Sequence, residues 1–374
     1  MKLFQIFHKY DPYIPHFETR YIGKHDGKSF EEHRRALIND RFYGAHLLKP
    51  VLDLEKNTFY TMWDYPALQL KWAREKGWNE TSLKKILFAQ VEEFKPDVLY
   101  NCSPIKFDRS EIKNMGPGNM IRIAWFASGE GNTIDFTVYD TLLTNYYRYL
   151  GERSQTGYRC DLFHPSYDPA MDAYAARTER PTDIFFYGQY VPGLFDKRNE
   201  FIDRLIDLRK VTNWNLKIAL SYTIKYKRPS PNNVVTRRLM RYFNIIEFPV
   251  SVVRKKSISP CFGLNLYNEI SKSKIVLNIN GDHSGEFRVN MRNIEALGCG
   301  AHMIGDDGIY PDGLEKGRDF SVCQDFGDFL EKATWYLDHP DESVKIAQQG
   351  HKTVSTVYSK EKQWQKFQEI VSSL

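Results

Sequence analysis

The sequence from Asn290 to Asp307 reads NMRNIEALGCGAHMIGDD, and its pattern indicates the fold class. Its apolar residues have helical spacing from Met291 to Leu297, and the glycines that follow are typical of a helix end. The apolar run Ala301–Ile304 begins directly afterwards and predicts a buried strand that ends in acidic residues. A helix that leads at once into a buried strand indicates an α/β domain with a parallel sheet.

The start of this helix has the chemistry of a nucleotide site. The first turn, at Asn290 and Met291, presents free backbone N–H groups and the positive end of the helix dipole, which favour a phosphate. Arg292 adds a guanidinium group to the same turn. Glu295 follows three residues later on about the same face, where its carboxylate can accept both hydroxyls of a ribose. One turn of helix therefore predicts a diphosphate site beside a ribose acceptor.

Two plainer interpretations compete with these roles. Glu295 can be an ordinary solvated carboxylate on the helix surface. Arg292 can form a structural ion pair with Asp306 or Asp307, which end the following strand. The sequence alone leaves both alternatives open.

Strands and helices alternate in the same way along the rest of the chain. The N-terminal half contains the predicted strands Leu3–Phe7, Asp97–Tyr100 and Ile121–Phe126 and a helix at Ser82–Phe94. The C-terminal half contains the predicted strands Asp183–Tyr187, with a glycine turn at Gly188, Leu216–Leu220 and Lys274–Ile279, and the predicted helices Arg198–Leu208, Leu264–Ser271, Asp328–Leu337, Glu342–Val357 and Lys360–Val371.

These patterns predict an α/β protein with two Rossmann-like, doubly wound domains and a ligand cleft between them. The expected domains are residues 1–168 and 183–358. The Pro-, Asp- and Ala-rich residues 169–182 are expected to link them. Residues 359–374 form a last helix, with Trp364 and Phe367 as anchors, that is expected to cross back onto the N-terminal domain.

Composition excludes several other classes of protein. The 374 residues carry a formal net charge of only +5, which fits anionic ligands better than nucleic acid. The five cysteines form no CxxC pair, so that neither a disulfide framework nor a zinc site is indicated. The N-terminal stretch reads as a strand, and no later segment reaches the length of a membrane span. We expect a cytoplasmic protein, with peripheral contact to the inner membrane face as an alternative.

The residues around Glu295 also resemble a known family. The order Met291–Ala301 is similar to the R-x-x-E-A-x-A-C-G signature of CgeB-like spore-maturation proteins, within the glycosyltransferase group 1 superfamily. Further blocks resemble that family in the same order: Asp183–Gly188 with Arg198, Tyr267–Ile279, Asp325–Lys332, Tyr336–Pro340 and Ile346–Gly350. The resemblance runs from Asp183 to the end of the chain, and more weakly from Asp97 to Asp168.

The resemblance implies a GT-B fold, a nucleoside-diphosphate sugar donor and Glu295 as the ribose-binding acid. It further implies transfer with retention of configuration. A UDP-sugar is the first donor to expect, and no separate cofactor is needed. The superfamily often carries an earlier acid that is separated from the glutamate by seven residues, but Phe287 holds that position and Glu286 precedes it. The expected donor-binding residues are Gly188, Arg198, His283, Glu286, Asn290, Met291, Arg292 and Glu295.

Candidate groups for the chemistry lie in both halves. Arg292 can stabilise the leaving diphosphate, and His8 or Glu130, each near the end of a predicted strand, can serve as general base. The arginines and lysines between Lys225 and Lys256 can meet an anionic acceptor, a membrane surface or water. No Asp-x-Asp motif is present, so that the sequence predicts transfer without a metal ion.

Three functions fit this sequence. The first is a glycosyltransferase that uses a nucleotide sugar and a glycan, lipid-linked or protein acceptor in the synthesis of surface polysaccharide or glycoconjugate. The second is a nucleotide-sugar epimerase of the same fold, and the third is a non-catalytic nucleotide-binding module. No nucleic-acid partner is expected.

Overall fold

The computed structural model describes residues 1–21, 28–127, 134–147, 149–150, 157–191, 194–222, 250–281 and 285–374. The chain forms two compact units. The first comprises Met1–Pro169, Phe262–Leu264 and Thr356–Leu374, and the second comprises Ala170–Cys261 and Asn265–Ser355.

The first unit is built on a six-stranded parallel sheet with the strand order β2-β1-β3-β4-β5-β6. Its strands are β1 (Leu3–Phe7), β2 (Thr58–Met62), β3 (Val98–Asn101), β4 (Ile121–Trp125), β5 (Thr141–Thr144) and β6 (Cys160–Leu162). All residues of β1 are buried, because the sheet is covered on both faces. Leu3 and Phe7 pack into one hydrophobic cluster, whereas Phe4 and Ile6 pack into another.

Helices accompany these strands along the N-terminal part of the chain. They are α1 (Tyr13–Tyr21), α2 (Phe30–Asn39), α3 (Lys49–Leu52), α4 (Pro66–Glu75), α5 (Leu83–Phe94) and α6 (Arg109–Lys113). α2 and α6 begin with capping boxes, Ser29 with Glu32 and Asp108 with Glu111. In such a box two side chains satisfy backbone donors that the helix start leaves open, which fixes where the helix begins.

The second unit has a five-stranded parallel sheet with the order β11-β10-β9-β7-β8. Its strands are β7 (Thr182–Tyr190), β8 (Leu216–Tyr222), β9 (Ser273–Asn278), β10 (His302–Asp306) and β11 (Ser321–Cys323). In each sheet the first strand lies between the second and the third. This doubly wound order creates a crevice between the first and third strands, at their carboxyl ends.

The helices that follow in the chain are α7 (Asp172–Ala175), α8 (Asp196–Leu208), α9 (Val250–Lys256), α10 (Gly263–Ser271), α11 (Met291–Gly298), α12 (Phe326–Asp338) and α13 (Pro340–Val357). α13 has 18 residues, many of them polar. In the described part of the chain, no helix combines the length and the apolar character that crossing a membrane requires.

The last helix, α14 (Lys360–Ser372), belongs to the first unit. Phe367 is fully buried, with its ring centroid 5.2 Å from that of Tyr100 and 6.0 Å from that of Phe163. The buried ammonium of Lys360 donates to the carbonyls of Gly44 and Leu47, at 2.6 Å each. Both contacts bind α14 to the first unit.

The structure differs from the sequence-based prediction at Gly188 and in the expected linker. Gly188 lies inside β7, where it pairs with Leu220, so that the glycine turn expected there is wrong. Within the expected linker 169–182, residues 170–182 belong to the second unit and include α7. Arg180 fixes this segment by donating to the carbonyls of Ser273 and Cys299.

Candidate functional site

The second sheet opens a crevice where β9 ends at Asn278 and β7 continues to Tyr190. Arg292, in the first turn of α11, spans this crevice. Its Nη1 donates to the Tyr187 carbonyl at 3.3 Å, and its Nη2 donates to the Ile279 carbonyl at 3.1 Å. Arg292 therefore lies at the switch point of the sheet, the place where open α/β sheets bind ligands.

Gly188 adjoins this guanidinium. A Cβ atom at Gly188 would lie 3.4 Å from Nη1 of Arg292, so that the absent side chain leaves room for the arginine. The structure thus brings together two of the residues that the sequence predicts at the donor site. The reason differs from the expected one, because Gly188 is strand and not turn.

The alternative ion pairs of Arg292 are not observed among the described residues. Asp306 lies 2.7 Å from Nε of Arg288, and Asp307 lies 2.5 Å from the ammonium of Lys316. Burial lowers the pKa of the Arg292 guanidinium, although arginine stays charged in proteins. The remaining N–H donors of the half-buried guanidinium have no hydrogen-bond partner within the described ranges.

Glu295 is buried beside Tyr187, on the neighbouring strand. It is only 4% exposed, so that its interpretation as a solvated carboxylate is wrong. Its Oε2 accepts a hydrogen bond from the Tyr187 hydroxyl at 2.9 Å, whereas Oε1 has no partner in the described part of the chain. Burial raises the pKa of Glu295 to about 7, while the Tyr187 hydrogen bond and the charge of Arg292 lower it. Oε1 is the atom available to a ligand hydroxyl.

The N-terminus of α11 has no side-chain cap. Asn290 occupies the N-cap position, but its side chain makes no capping hydrogen bond. Its Nδ2 donates to Oδ1 of Asn280 at 2.5 Å and to Oδ1 of Asn278 at 3.2 Å. Asn278 in turn donates to Oδ1 of Asn293 at 2.6 Å. The side chain of Asn290 is drawn away from the helix start, which leaves the first N–H groups of α11 to an anion.

This chain of asparagines is anchored on β10. Oδ1 of Asp306 accepts hydrogen bonds from the backbone N–H of Asn280 at 3.0 Å and from its Nδ2 at 3.1 Å. The side chain of Arg288 pairs with Asp306, and the backbone carbonyl of Arg288 accepts a hydrogen bond from Nδ2 of Asn293. The loop after β9 and the start of α11 are thereby fixed to the end of β10.

The other predicted donor-site residues occupy different positions. Glu286 is exposed, and its carbonyl accepts a bond from the backbone N–H of Ile309. Met291 is half-buried at the helix start. Arg198 is buried, and its guanidinium carbon lies 3.9 Å from the centroid of the Phe195 ring.

The Phe195 ring connects Arg198 to the loop after β9. A Cβ atom at Gly281 would come within 2.8 Å of this ring. Arg198 and Phe195 therefore lie beside the residue that follows Asn280, on the same edge of the sheet as Arg292.

His8 lies at the corresponding crevice of the first sheet, directly after β1. Its Nδ1 forms a hydrogen bond of 2.8 Å with Oγ of Ser103, which follows β3. Burial lowers the pKa of His8 and outweighs the nearby carboxylate of Asp64, so that the imidazole is neutral at pH 7. Its Nε2 has no hydrogen-bond partner within the described residues. A neutral imidazole with one ring nitrogen available is what a general base requires.

Part of the predicted site lies outside the described residues. Glu130 and His283 are among these, as are the basic residues from Lys225 to Arg241. Arg254, Lys255 and Lys256 are exposed on α9. Within the described ranges, no group of three or more His, Cys, Asp or Glu side chains could hold a metal ion.

Sequence reasoning missed the supporting residues of the site, namely Tyr187, Asn278, Asn280, Arg288 and Asn293. One signal was available, since the strand ends in Leu277-Asn278-Ile279-Asn280, and polar residues after a buried strand mark the binding edge of a parallel sheet. The contact between Tyr187 and Glu295 had no local signal, because it joins residues 108 positions apart.

Comparison with known proteins agrees with this architecture. Residues 230–369 match the family model described as Glycosyl transferase-like. No curated protein matches the sequence significantly.

Two solved proteins illustrate the structural similarity. HepE of Anabaena, in complex with UDP-glucose, superposes with a TM-score of 0.56 at 11% identity over 100% of both chains. Its complex with UDP and glucose gives a TM-score of 0.59 at 10% identity, again over 100% of both chains. A variant of TarM from S. aureus, bound to fondaparinux, alpha-GlcNAc-glycerol and UDP, gives 0.50 at 11% identity over 77% of this chain and 59% of that chain. The two parallel sheets with their helices have the GT-B fold, as predicted from the sequence.

Proposed function

We propose that this protein is a glycosyltransferase that moves a sugar from a nucleoside-diphosphate sugar to an acceptor hydroxyl. The proposal rests on the position of Arg292, which spans the β7–β9 crevice one turn of helix before the buried Glu295. The diphosphate would bind Arg292 and the uncapped start of α11, and the ribose would bind Oε1 of Glu295. The Glycosyl transferase-like match and the nucleotide complexes of HepE and TarM support this assignment.

In the transfer step, the bond between the anomeric carbon and the diphosphate oxygen breaks while the acceptor oxygen bonds to that carbon. Negative charge then grows on the departing diphosphate. The guanidinium of Arg292 and the first N–H groups of α11 are fixed donors aimed at this charge, and such fixed donors stabilise a transition state without reorganising.

The acceptor hydroxyl must lose its proton as it bonds to the sugar. We assign this proton to Nε2 of His8, in the tautomer whose Nδ1–H donates to Oγ of Ser103. Glu130 is the second candidate for this role.

Finer features of the reaction rest on the family resemblance. They are a CgeB-like subfamily, a UDP-sugar donor and retention of configuration. Transfer without a metal ion rests instead on the absence of an Asp-x-Asp motif. A glycan, lipid-linked or protein acceptor, used at the inner membrane face in the synthesis of surface polysaccharide or glycoconjugate, completes the proposal.

The test begins with thermal unfolding in the presence of UDP, GDP, ADP or CDP at millimolar concentration, with inorganic pyrophosphate beside them. A ligand that binds only the native state raises the Tm, so that at least one nucleotide should raise it more than pyrophosphate does. The matching nucleotide sugar, incubated with an acceptor panel, should then yield an acceptor-linked sugar by mass spectrometry. A Tm unmoved by all four nucleotides would refute the donor site, and release of an isomerised nucleotide sugar without acceptor product would identify an epimerase.

A further inference from the structure

We infer that Tyr187 is a positioning residue that orients Glu295 toward the ribose and thereby sets the selectivity for ribose over dideoxyribose nucleotides. The inference rests on the proposed function, since it concerns the same donor site. It adds a residue to that site and a specificity that the site would show.

The contact is direct and enclosed. The Tyr187 hydroxyl donates to Oε2 of Glu295 at 2.9 Å, and the two residues are 7% and 4% exposed. A hydrogen bond to a carboxylate in such surroundings is strong and fixes its rotamer. With Oε2 occupied, Oε1 is left to face a ligand.

Tyr187 holds the two proposed ligand groups by different atoms. Its hydroxyl holds Glu295, whereas its backbone carbonyl accepts from Nη1 of Arg292 at 3.3 Å. Phenylalanine at this position would keep the backbone contact to Arg292 and remove only the bond to Glu295. The substitution therefore separates the ribose contact from the diphosphate contact.

The hydroxyl also acts on the charge of Glu295. Tyr187 from β7 and Arg292 from α11 are the groups that stabilise the ionised form, and Cys299 lies near the Tyr187 hydroxyl. Removal of the Tyr187 bond raises the pKa of Glu295, so that a larger fraction of the carboxyl is protonated at neutral pH. A protonated carboxyl is the poorer acceptor for ribose hydroxyls.

The chain offers a matched control in the same strand. Tyr190 is also buried, and its hydroxyl lies 3.3 Å from Oδ1 of Asp203, a carboxylate on α8. Tyr190→Phe thus removes a partly buried tyrosine–carboxylate contact that involves neither Glu295 nor Arg292.

The experiment measures dissociation constants by calorimetry for wild type, Tyr187→Phe and Tyr190→Phe. The probes are the tightest nucleoside diphosphate of the thermal panel, its 2′,3′-dideoxy counterpart and inorganic pyrophosphate. Tyr187→Phe should weaken the ribonucleotide by about tenfold and leave the other two probes within about twofold. The tenfold loss should shrink as the pH rises from 6 to 9. Tyr190→Phe should leave the preference for ribose unchanged.

The failures of the two proposals are distinguishable. Equal losses for the ribonucleotide and its dideoxy counterpart, or a ribose preference that both variants keep, would overturn the role of Tyr187 while leaving the donor site in place. Wild-type protein that binds none of the nucleotides would overturn the proposed function itself. Melting curves of the three proteins establish that each is folded.

Discussion

At Glu295, burial and charge oppose each other. The carboxyl is enclosed by protein, which favours its protonated form, yet a ribose acceptor works best as a carboxylate. Tyr187 and Arg292 offset part of the cost, and the resulting pKa is about 7. In the proposed donor site, the protonation state of this one side chain links folding stability and ligand binding near neutral pH.

The first prediction concerns this link. The folded-state pKa of about 7 exceeds the ordinary value of 4.5, so that between these values the folded protein holds a proton that the unfolded chain has lost. Stability therefore falls as pH rises through this window, by up to about 3 kcal/mol from this group. Glu295→Gln should remove that slope, as measured by urea unfolding at pH 5 and pH 8. A wild-type slope that the variant retains would contradict the assignment.

Nucleotide affinity should increase with pH, whereas the stability contribution of Glu295 decreases. Glu295→Ala should weaken nucleotide binding by about 1.5–3 kcal/mol at pH 8 while the protein stays folded, because a hydrogen-bond acceptor to the ribose is lost. Wild-type affinity should rise from pH 6 to pH 8. Calorimetry that gives the same affinity for both proteins would remove Glu295 from the site.

Arg292 is expected to act mainly on the transition state. Charge on the diphosphate grows as the glycosidic bond breaks, so that Arg292→Ala should lower kcat more than it weakens donor binding. Arg292→Lys should restore only part of the activity, since an ammonium cannot donate to the Tyr187 and Ile279 carbonyls and to phosphate with the same geometry. Equal losses in donor affinity and in kcat/KM would make Arg292 a uniform binder.

Residues such as Arg292 and Glu295 could be found in the sequence because helix periodicity places them on one face. Tyr187 could not be found in this way. Its contact with Glu295 forms only because β7 lies beside β9 and α11 follows β9. The burial of Glu295 could not be predicted from the neighbouring residues either. A carboxylate in a short amphipathic helix reads as solvated until the packing of that helix is known.

At the scale of elements, the loop after β9 and the start of α11 depend on one buried ion pair. Arg288 and Asp306 are 8% and 2% exposed, and Asp306 also holds Asn280. This arrangement, together with the asparagine contacts, keeps Asn290 from capping its own helix. An ordinary cap at that position would compete with an anionic ligand for the same N–H groups.

A double-mutant comparison tests the contribution of the Arg288–Asp306 pair. Arg288→Met should destabilise the protein by about 3–5 kcal/mol, because it leaves the Asp306 charge buried without its partner. The further change Asp306→Leu should recover part of that loss, although Asn280 then lacks its acceptor. Denaturant unfolding measures both effects.

Lys316→Met is the matched control, because Lys316 pairs with the neighbouring Asp307 while 44% of its side chain is exposed. An exposed pair contributes about 0–1 kcal/mol. Similar losses of unfolding free energy for Arg288→Met and Lys316→Met would show that the buried Arg288–Asp306 pair contributes no more to stability than an exposed pair.

In the whole molecule, the chain passes from one unit to the other more than once. It leaves the first unit after Pro169, contributes Phe262–Leu264 to it from the middle of the second, and returns at Thr356. α14 then supplies Phe367 to the core of the first unit, where it meets Tyr100 and Phe163. The last residues of the chain thus stabilise the unit that its first residues begin.

Phe367→Ala should accordingly lower the free energy of unfolding of the first unit by about 3–5 kcal/mol through the cavity it leaves. Nucleotide binding, which we assign to the second unit, should stay within about twofold of wild type at 25 °C. Trp364→Ala, at a partly buried position on the same helix, should cost less. Loss of nucleotide affinity in parallel with stability would mean that the donor site is not confined to the second unit.

The two parallel sheets were predictable because their central strands are mostly apolar, as in Leu3–Phe7 and Lys274–Ile279. The strands β2, β5, β6 and β11 were not predicted, since short strands with polar residues lack such an apolar stretch. The return of Phe262–Leu264 to the first unit could not be read from local sequence either. Gly263 has a φ of +55° and lies against the backbone of Asp40, a tertiary contact with no sequence signature.

A crystal structure of the protein with the nucleoside diphosphate that raises its Tm most would test the proposed donor site. We predict the diphosphate at the start of α11, within hydrogen-bond distance of Arg292, and the ribose hydroxyls about 3 Å from Oε1 of Glu295. The Tyr187 hydroxyl should remain bonded to Oε2. A nucleotide bound elsewhere, or one bound in this crevice with its ribose turned away from Glu295, would contradict the proposed donor site.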